Sequence, residues 1–204
     1  MPAASGRFRR AGVHDELVRA RVAEAVTTIE SLAEPPLVDQ IGRFADLVIA
    51  ALAGGNKVIF FGNGGSAADA THLAAELVGR YLLEREALPA LSLTDNASAL
   101  SAIGNDYGYE DVFARQIRGL GQPGDVAVGI STSGRSQNVL RGLDAADDGG
   151  LRTVAMTGPT DGELRAVSEL CLAVPAADTP RIQECHQLIG HTVCEIVEQA
   201  LFGP

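Results

Sequence analysis

His72 and Glu76 stand four apart in the run Ala67 to Val78, which has a helical pattern. That spacing puts both side chains on one helix face. Gln183, Gln187 and His191 repeat the same interval in a second helical run near the C-terminus. A His–x3–Glu pair facing a Gln–x7–His pair can offer four ligand atoms to one metal ion. Zinc accepts imidazole nitrogen and carboxylate oxygen, and a glutamine carbonyl is a rarer ligand. Glu76 and His191 also suit proton transfer. A carboxylate in a partly closed pocket and an imidazole of pKa ~6.5 can move protons at neutral pH. Spacing alone leaves the plainer alternatives open: His72 as a hydrogen-bonded helix histidine, and Glu76 as a solvated carboxylate or a partner of Arg80.

Two further segments carry a different chemistry. Phe61-Gly62-Asn63-Gly64-Gly65-Ser66 follows the apolar run Val58-Ile59-Phe60-Phe61 and precedes the helix of His72. Gly129-Ile130-Ser131-Thr132-Ser133-Gly134-Arg135-Ser136 likewise stands between an apolar run and a helix. Glycine lets the backbone approach a ligand closely, and a helix N-terminus offers free N–H groups to an anion. Two such turns, rich in hydroxyls, read as a phosphate cradle. No Walker-type lysine follows the first turn, and its spacing is not the dinucleotide fingerprint, so nucleotide cofactors are disfavoured. Asp95, Asn96 and Ser98, and the segment Gly104-Asn105-Asp106, read as loops at the pocket mouth; Asn105 and Asp106 could bind sugar hydroxyls. His186 falls on another helix face from His191 and reads as structural. Cys185 reads as a small buried hydrophobe, with a reactive thiol as the alternative.

The elements that must position these groups follow from apolar runs. Strands are expected near Lys57–Phe61, Ala90–Leu93, Asp125–Ile130, Thr153–Thr157 and Cys171–Val174. Helices are expected near Ala67–Val78, Ala97–Ile103, Glu110–Leu120, Gln137–Asp147 and Pro180–Phe202. Two more, His14–Ala33 and Leu37–Ala53, precede the first strand and are available for subunit packing. Strands alternating with helices imply a parallel sheet with right-handed crossovers. Hydrophobic residues make up 46% of the 204, with only 4% aromatic, which suits a parallel α/β core of Ala, Val, Leu and Ile. In open α/β sheets ligands sit beyond the strands' carboxyl ends, where both Ser/Gly turns fall.

The net charge of −10 argues against a general nucleic-acid or anionic-membrane surface. No run approaches the ~18 apolar residues of a membrane span. Three cysteines, Cys171, Cys185 and Cys194, lack paired spacing and suit a reducing cytoplasm. Residues 1–13 carry Arg7, Arg9 and Arg10 without an apolar stretch and read as a disordered tail; residues 14–204 read as one domain.

Together these motifs resemble a known family. Asn63-Gly64-Gly65-Ser66, His72-x3-Glu76-Leu77-x-Gly79-Arg80-Tyr81, Gly104-Asn105-Asp106, the Gly129–Ser136 turn and Arg181-Ile182-Gln183-Glu184-x-His186-x4-His191 are similar to those of phosphoheptose isomerases, of the sugar isomerase (SIS) domain class. The resemblance spans about His14 to Phe202. It implies a three-layer α/β/α, flavodoxin-like fold with a five-stranded parallel sheet, and a homotetramer with active sites between subunits. It implies phosphate and sugar contacts from Asn63, Gly64, Gly65, Ser66, Ser131, Thr132, Ser133 and Ser136, with Asn105 and Asp106 near the sugar and Glu76 and Gln183 also at the substrate. It implies zinc at His72, Glu76, Gln183 and His191, and acid/base roles for Glu76 and His191. The activity expected is aldose–ketose isomerisation of sedoheptulose 7-phosphate to a manno-heptose 7-phosphate through an enediol, opening activated heptose biosynthesis. The alternative is a non-catalytic tetrameric SIS scaffold that binds the replication initiator protein. In that branch the positions matching Glu76 and His191 lack ionisable side chains, whereas this chain keeps both.

Overall fold

The structure, a computed structural model, describes residues 11–159 and 162–203. Helices α1 (Ala11–Glu30) and α2 (Pro35–Ala53) come first. Then strands and helices alternate: β1 (Val58–Gly62), α3 (Gly65–Val78), β2 (Ala90–Ser92), α4 (Ala97–Asp106), α5 (Val112–Leu120), β3 (Val126–Ser131), α6 (Gln137–Asp148), β4 (Arg152–Thr157), α7 (Gly162–Ala166), β5 (Leu170–Ala173) and α8 (Thr179–Phe202). Pro35 fits the start of α2, because its missing N–H falls where a helix has no partner for one.

All strand pairs are parallel and the order is β2-β1-β3-β4-β5. This is the doubly wound, flavodoxin-like arrangement expected from the resemblance. The central strands β1 and β3 are buried along their whole length because helices cover both faces. Val58 and Phe60 face one core with α2, α3 and α8. Ile59 and Phe61 face the other, with Phe113 of α5 and Val139 and Leu143 of α6. The winding reverses between β1 and β3, which opens a crevice at their carboxyl ends. Both glycine–serine turns lie there.

Some features differ from the sequence expectation. The first helix starts at Ala11, so residues 11–13 are helical rather than tail. Residues 1–10, also read as tail, lie outside the described residues. Gly104-Asn105-Asp106 is the last turn of α4, not a loop: Tyr107 N–H still bonds to Ile103 O at 2.9 Å, and the chain turns at Gly108, φ 93°. The short α7 has no counterpart in the expected elements.

Residues 79–89, between α3 and β2, are irregular but firmly held. The Glu198 carboxylate of α8 accepts the N–H groups of Tyr81, Leu82 and Leu83 at 2.7–2.8 Å and Arg85 Nε at 2.9 Å. Arg85 donates in turn to the carbonyls of Glu76, Leu77 and Glu86. Both side chains are only 1% exposed. Burial pushes the Glu198 carboxyl pKa up, and the three backbone N–H groups and Arg85 outweigh it, leaving the pKa lowered.

Candidate functional site

The site is built from the ends of β1 and β3 and from the facing helices α3 and α8. At the end of β1, Gly64 takes a positive φ of 58°, in the left-handed range that glycine enters without strain. Ser66 sits in the first turn of α3, buried, with its N–H on Asn63 O at 3.0 Å. At the end of β3, the hydroxyls converge. Ser131 Oγ lies 2.9 Å from Ser136 Oγ and 3.4 Å from Ser133 Oγ. Ser133 Oγ also accepts Arg135 N–H at 3.3 Å. Thr132, in the same turn, uses its carbonyl to accept Gly158 N–H at 3.2 Å. Hydroxyls thus gather at two helix starts, whose positive dipole ends favour an anion.

Helices α3 and α8 approach closely. A Cβ on Gly190 would lie 2.3 Å from Leu73 Cδ2, so any larger residue there would force the buried Leu73 side chain to move. The approach brings the His72 and His191 rings together edge-on, 68° between their planes, with their Nε2 atoms 2.8 Å apart. Glu76 Oε1 lies 3.4 Å from His72 Nε2. His72, Glu76 and His191 each place one ligand atom within 4.8 Å of the others. The His72 side chain is 43% exposed and that of Glu76 22%, so the cluster is open to a small molecule. Two nitrogens and a carboxylate oxygen at this separation form a donor set that could hold a metal ion. The Tyr81 ring packs 5.4 Å from the His191 ring.

Gln183 reaches from α8 to the first turn: a Cβ on Gly65 would meet its Nε2 at 2.2 Å. It thus stands where the helix of His191 touches the anion site. Gln187, on the same stripe, instead donates to Asp69 Oδ1 at 2.6 Å. Asp69 is 6% exposed, and desolvation raises its carboxyl pKa against the opposing effects of Gln187 and His72. Asn105 and Asp106 are exposed and bond to each other at 2.8 Å. Asp95 accepts from Thr71 Oγ1 at 2.5 Å, and Asn96 caps α4 through Ala99 N–H at 3.0 Å. His186 is structural, as its helix face suggests. It is fully buried and its Nε2 bonds to Thr157 O at 3.2 Å; burial pushes its pKa down to about 4, so it stays neutral. The buried Cys185 thiol is pushed up to about 11 by desolvation, which suits a hydrophobe and not a nucleophile.

Sequence reasoning missed Asn138 and Tyr109. Asn63 and Asn138 exchange hydrogen bonds at 2.8 and 2.9 Å, and Tyr109 Oη donates to Asn63 Oδ1 at 3.1 Å. A polar residue in an otherwise apolar face of α6 was the available signal for Asn138.

Residues 22–158 match the SIS domain family. The phosphoheptose isomerase of Akkermansia muciniphila is 49% identical over 188 residues, covering 92% of this chain and 98% of that one. The phosphoheptose isomerase of Aquifex aeolicus is 54% identical over 160 residues, covering 78% of this chain and 84% of that one. The solved phosphoheptose isomerase of Neisseria gonorrhoeae superposes with a TM-score of 0.85 at 42% identity, covering 91% of this chain and 98% of that one.

Proposed function

This chain belongs to the phosphoheptose isomerases of the SIS domain family, and from that premise we propose that it interconverts sedoheptulose 7-phosphate and D-glycero-D-manno-heptose 7-phosphate, the opening step of activated heptose biosynthesis. The observation that carries the reading is the placement of His72, Glu76 and His191 within 4.8 Å of one another, on α3, which starts at the first glycine–serine turn, and on α8, whose Gln183 reaches that turn. The phosphate is held by the hydroxyls of Ser66, Ser131, Ser133 and Ser136 and by the helix-start N–H groups, with Gly64 and Gly65 allowing close approach. Asn105 and Asp106 remain our assignments for the sugar end.

Isomerisation needs one proton taken from C1 and one delivered to C2. In this reading Glu76 removes the C1 proton, and the C–H electrons become the C1–C2 double bond of an enediol. His191 protonates the C2 carbonyl oxygen as that bond forms. Return of a proton to C2 and loss of the O1 proton complete the aldose. His72, Glu76, Gln183 and His191 are the residues that would hold zinc, which when bound polarises the carbonyl and offsets the charge developing on its oxygen. Glu76 cannot be a tight ligand and a free base at once, so one of these roles loosens during turnover.

The cradle has a direct test. Replacing Ser133 and Ser136 together by alanine should raise KM for sedoheptulose 7-phosphate at least about 10-fold, because hydroxyl bonds to a charged phosphate are lost. An unchanged KM would contradict it.

We assign a homotetramer as well. Leu17, Val18, Val22, Val26 and Ile29 of α1 are 39–61% exposed, and Val38, Leu188 and Ile196 continue that apolar surface. Such a surface suits burial against further copies. Light scattering should give four times the chain's 21.2 kDa; a monomer mass at micromolar concentration would refute the assignment. The burial of all three cysteines agrees with a cytoplasmic site of action, which is our placement.

A further inference from the structure

The register of β1 with β3 ends at Gly62↔Ile130, just short of the two anion-binding turns. Beyond it stands the amide pair. Asn63 Nδ2 donates to Asn138 Oδ1 at 2.8 Å, and Asn138 Nδ2 returns a bond to Asn63 Oδ1 at 2.9 Å. Asn63 belongs to the first turn, and Asn138 follows directly on the second, at the start of α6. Two opposed bonds between planar amides fix an angle as well as a distance. Tyr109, from the single turn Tyr109–Asp111 between α4 and α5, adds a third element by donating to the same Asn63 oxygen at 3.1 Å. Asn138 is 4% exposed, so its amide would be costly there without these partners.

The chemistry of Asn63 is thereby committed. A phosphate asks for donors. The Asn63 oxygen is an acceptor that already takes two bonds, and one of its two amide hydrogens is spent on Asn138. We propose that Asn63, Asn138 and Tyr109 are positioning residues: they staple the two anion-binding turns at the separation one phosphate needs, and the Asn63 side chain, with a single amide hydrogen left over, acts on the ligand chiefly through Asn138. The inference rests on the phosphate-cradle reading above.

The test is a mutant cycle on the full-length protein, read as KM for sedoheptulose 7-phosphate and as competitive Ki for inorganic phosphate. Asn63→Ala and Asn138→Ala should each raise both constants about 10-fold, with kcat changed less than about threefold. The double variant should be within about twofold of the worse single variant, because both changes remove one staple. Tyr109 is exposed, so Tyr109→Phe serves even if the buried Asn138→Ala fails to fold. It should raise Ki about threefold in the wild-type background and not at all in Asn63→Ala. Effects that multiply in either combination would show Asn63 meeting the ligand independently and would overturn the inference. So would a wild-type Ki in Asn138→Ala or Tyr109→Phe. Inorganic phosphate that fails to compete even with the wild type would bring down the cradle reading, and the staple with it.

Discussion

Replacing Glu76 by Gln should lower kcat by about 10² to 10⁴-fold, and His191→Gln should do the same. Glutamine keeps the size and hydrogen-bonding shape of each side chain but cannot exchange a proton at neutral pH. The two groups sit in one cluster, with His191 Nε2 2.8 Å from His72 Nε2 and Glu76 Oε1 3.4 Å from that same nitrogen. Removing either blocks one of the two proton transfers that the same enediol-forming step requires, so the double variant should be little worse than the single ones. Elemental analysis of the same proteins separates the roles of Glu76. If it is chiefly a ligand, Glu76→Gln loses metal along with turnover; if it is chiefly the base, metal stays and turnover goes. Near-normal kcat in both variants would show that the chemistry lies elsewhere.

The second large effect concerns stability. Glu198→Ala should cost about 3–5 kcal/mol in urea unfolding, because it leaves a buried guanidinium without its counter-ion. Arg85 is 1% exposed and would keep carbonyl partners and the Phe202 ring but lose its anion, while the N–H groups of Tyr81, Leu82 and Leu83 would lose their common acceptor. Glu198→Gln keeps one acceptor oxygen and should fall between the two. The damage should reach the site, since the released segment carries Tyr81, whose ring packs 5.4 Å from that of His191. A loss below about 1 kcal/mol would mean that the clamp is no more than a surface ion pair.

The sequence made some features legible and hid others for identifiable reasons. The five strands announce themselves as short apolar runs because both faces of the sheet are covered, so no polar alternation interrupts them. The two anion turns are readable because glycine and hydroxyl residues are needed at the junction itself. Strand order is another matter. Periodicity cannot tell which strand lies beside β1, and the order followed only from the family resemblance. Gly104-Asn105-Asp106 has turn-forming composition, yet tertiary context carries α4 through it to Gly108. Five-residue α7 is too short for a periodic signal. The partners of Glu198, Asn138 and Gln187 were hidden because they are distant in sequence: Tyr81, Asn63 and Asp69 lie 117, 75 and 118 residues away. The pairing of His72 with Glu76 was readable at one helical interval, whereas the contact with His191 depends on Gly190 letting two helices meet.

Proton transfer between C1 and C2 of a seven-carbon ketose phosphate is the central claim. Incubating the protein with sedoheptulose 7-phosphate in deuterated water, with NMR detection at C2 of the product, tests it most directly. The account predicts an aldose phosphate carrying deuterium at C2 from the wild type, and at least about 100-fold slower formation of it by Glu76→Gln and His191→Gln. An absence of any aldose product from the folded wild-type protein would contradict the account and favour a non-catalytic scaffold.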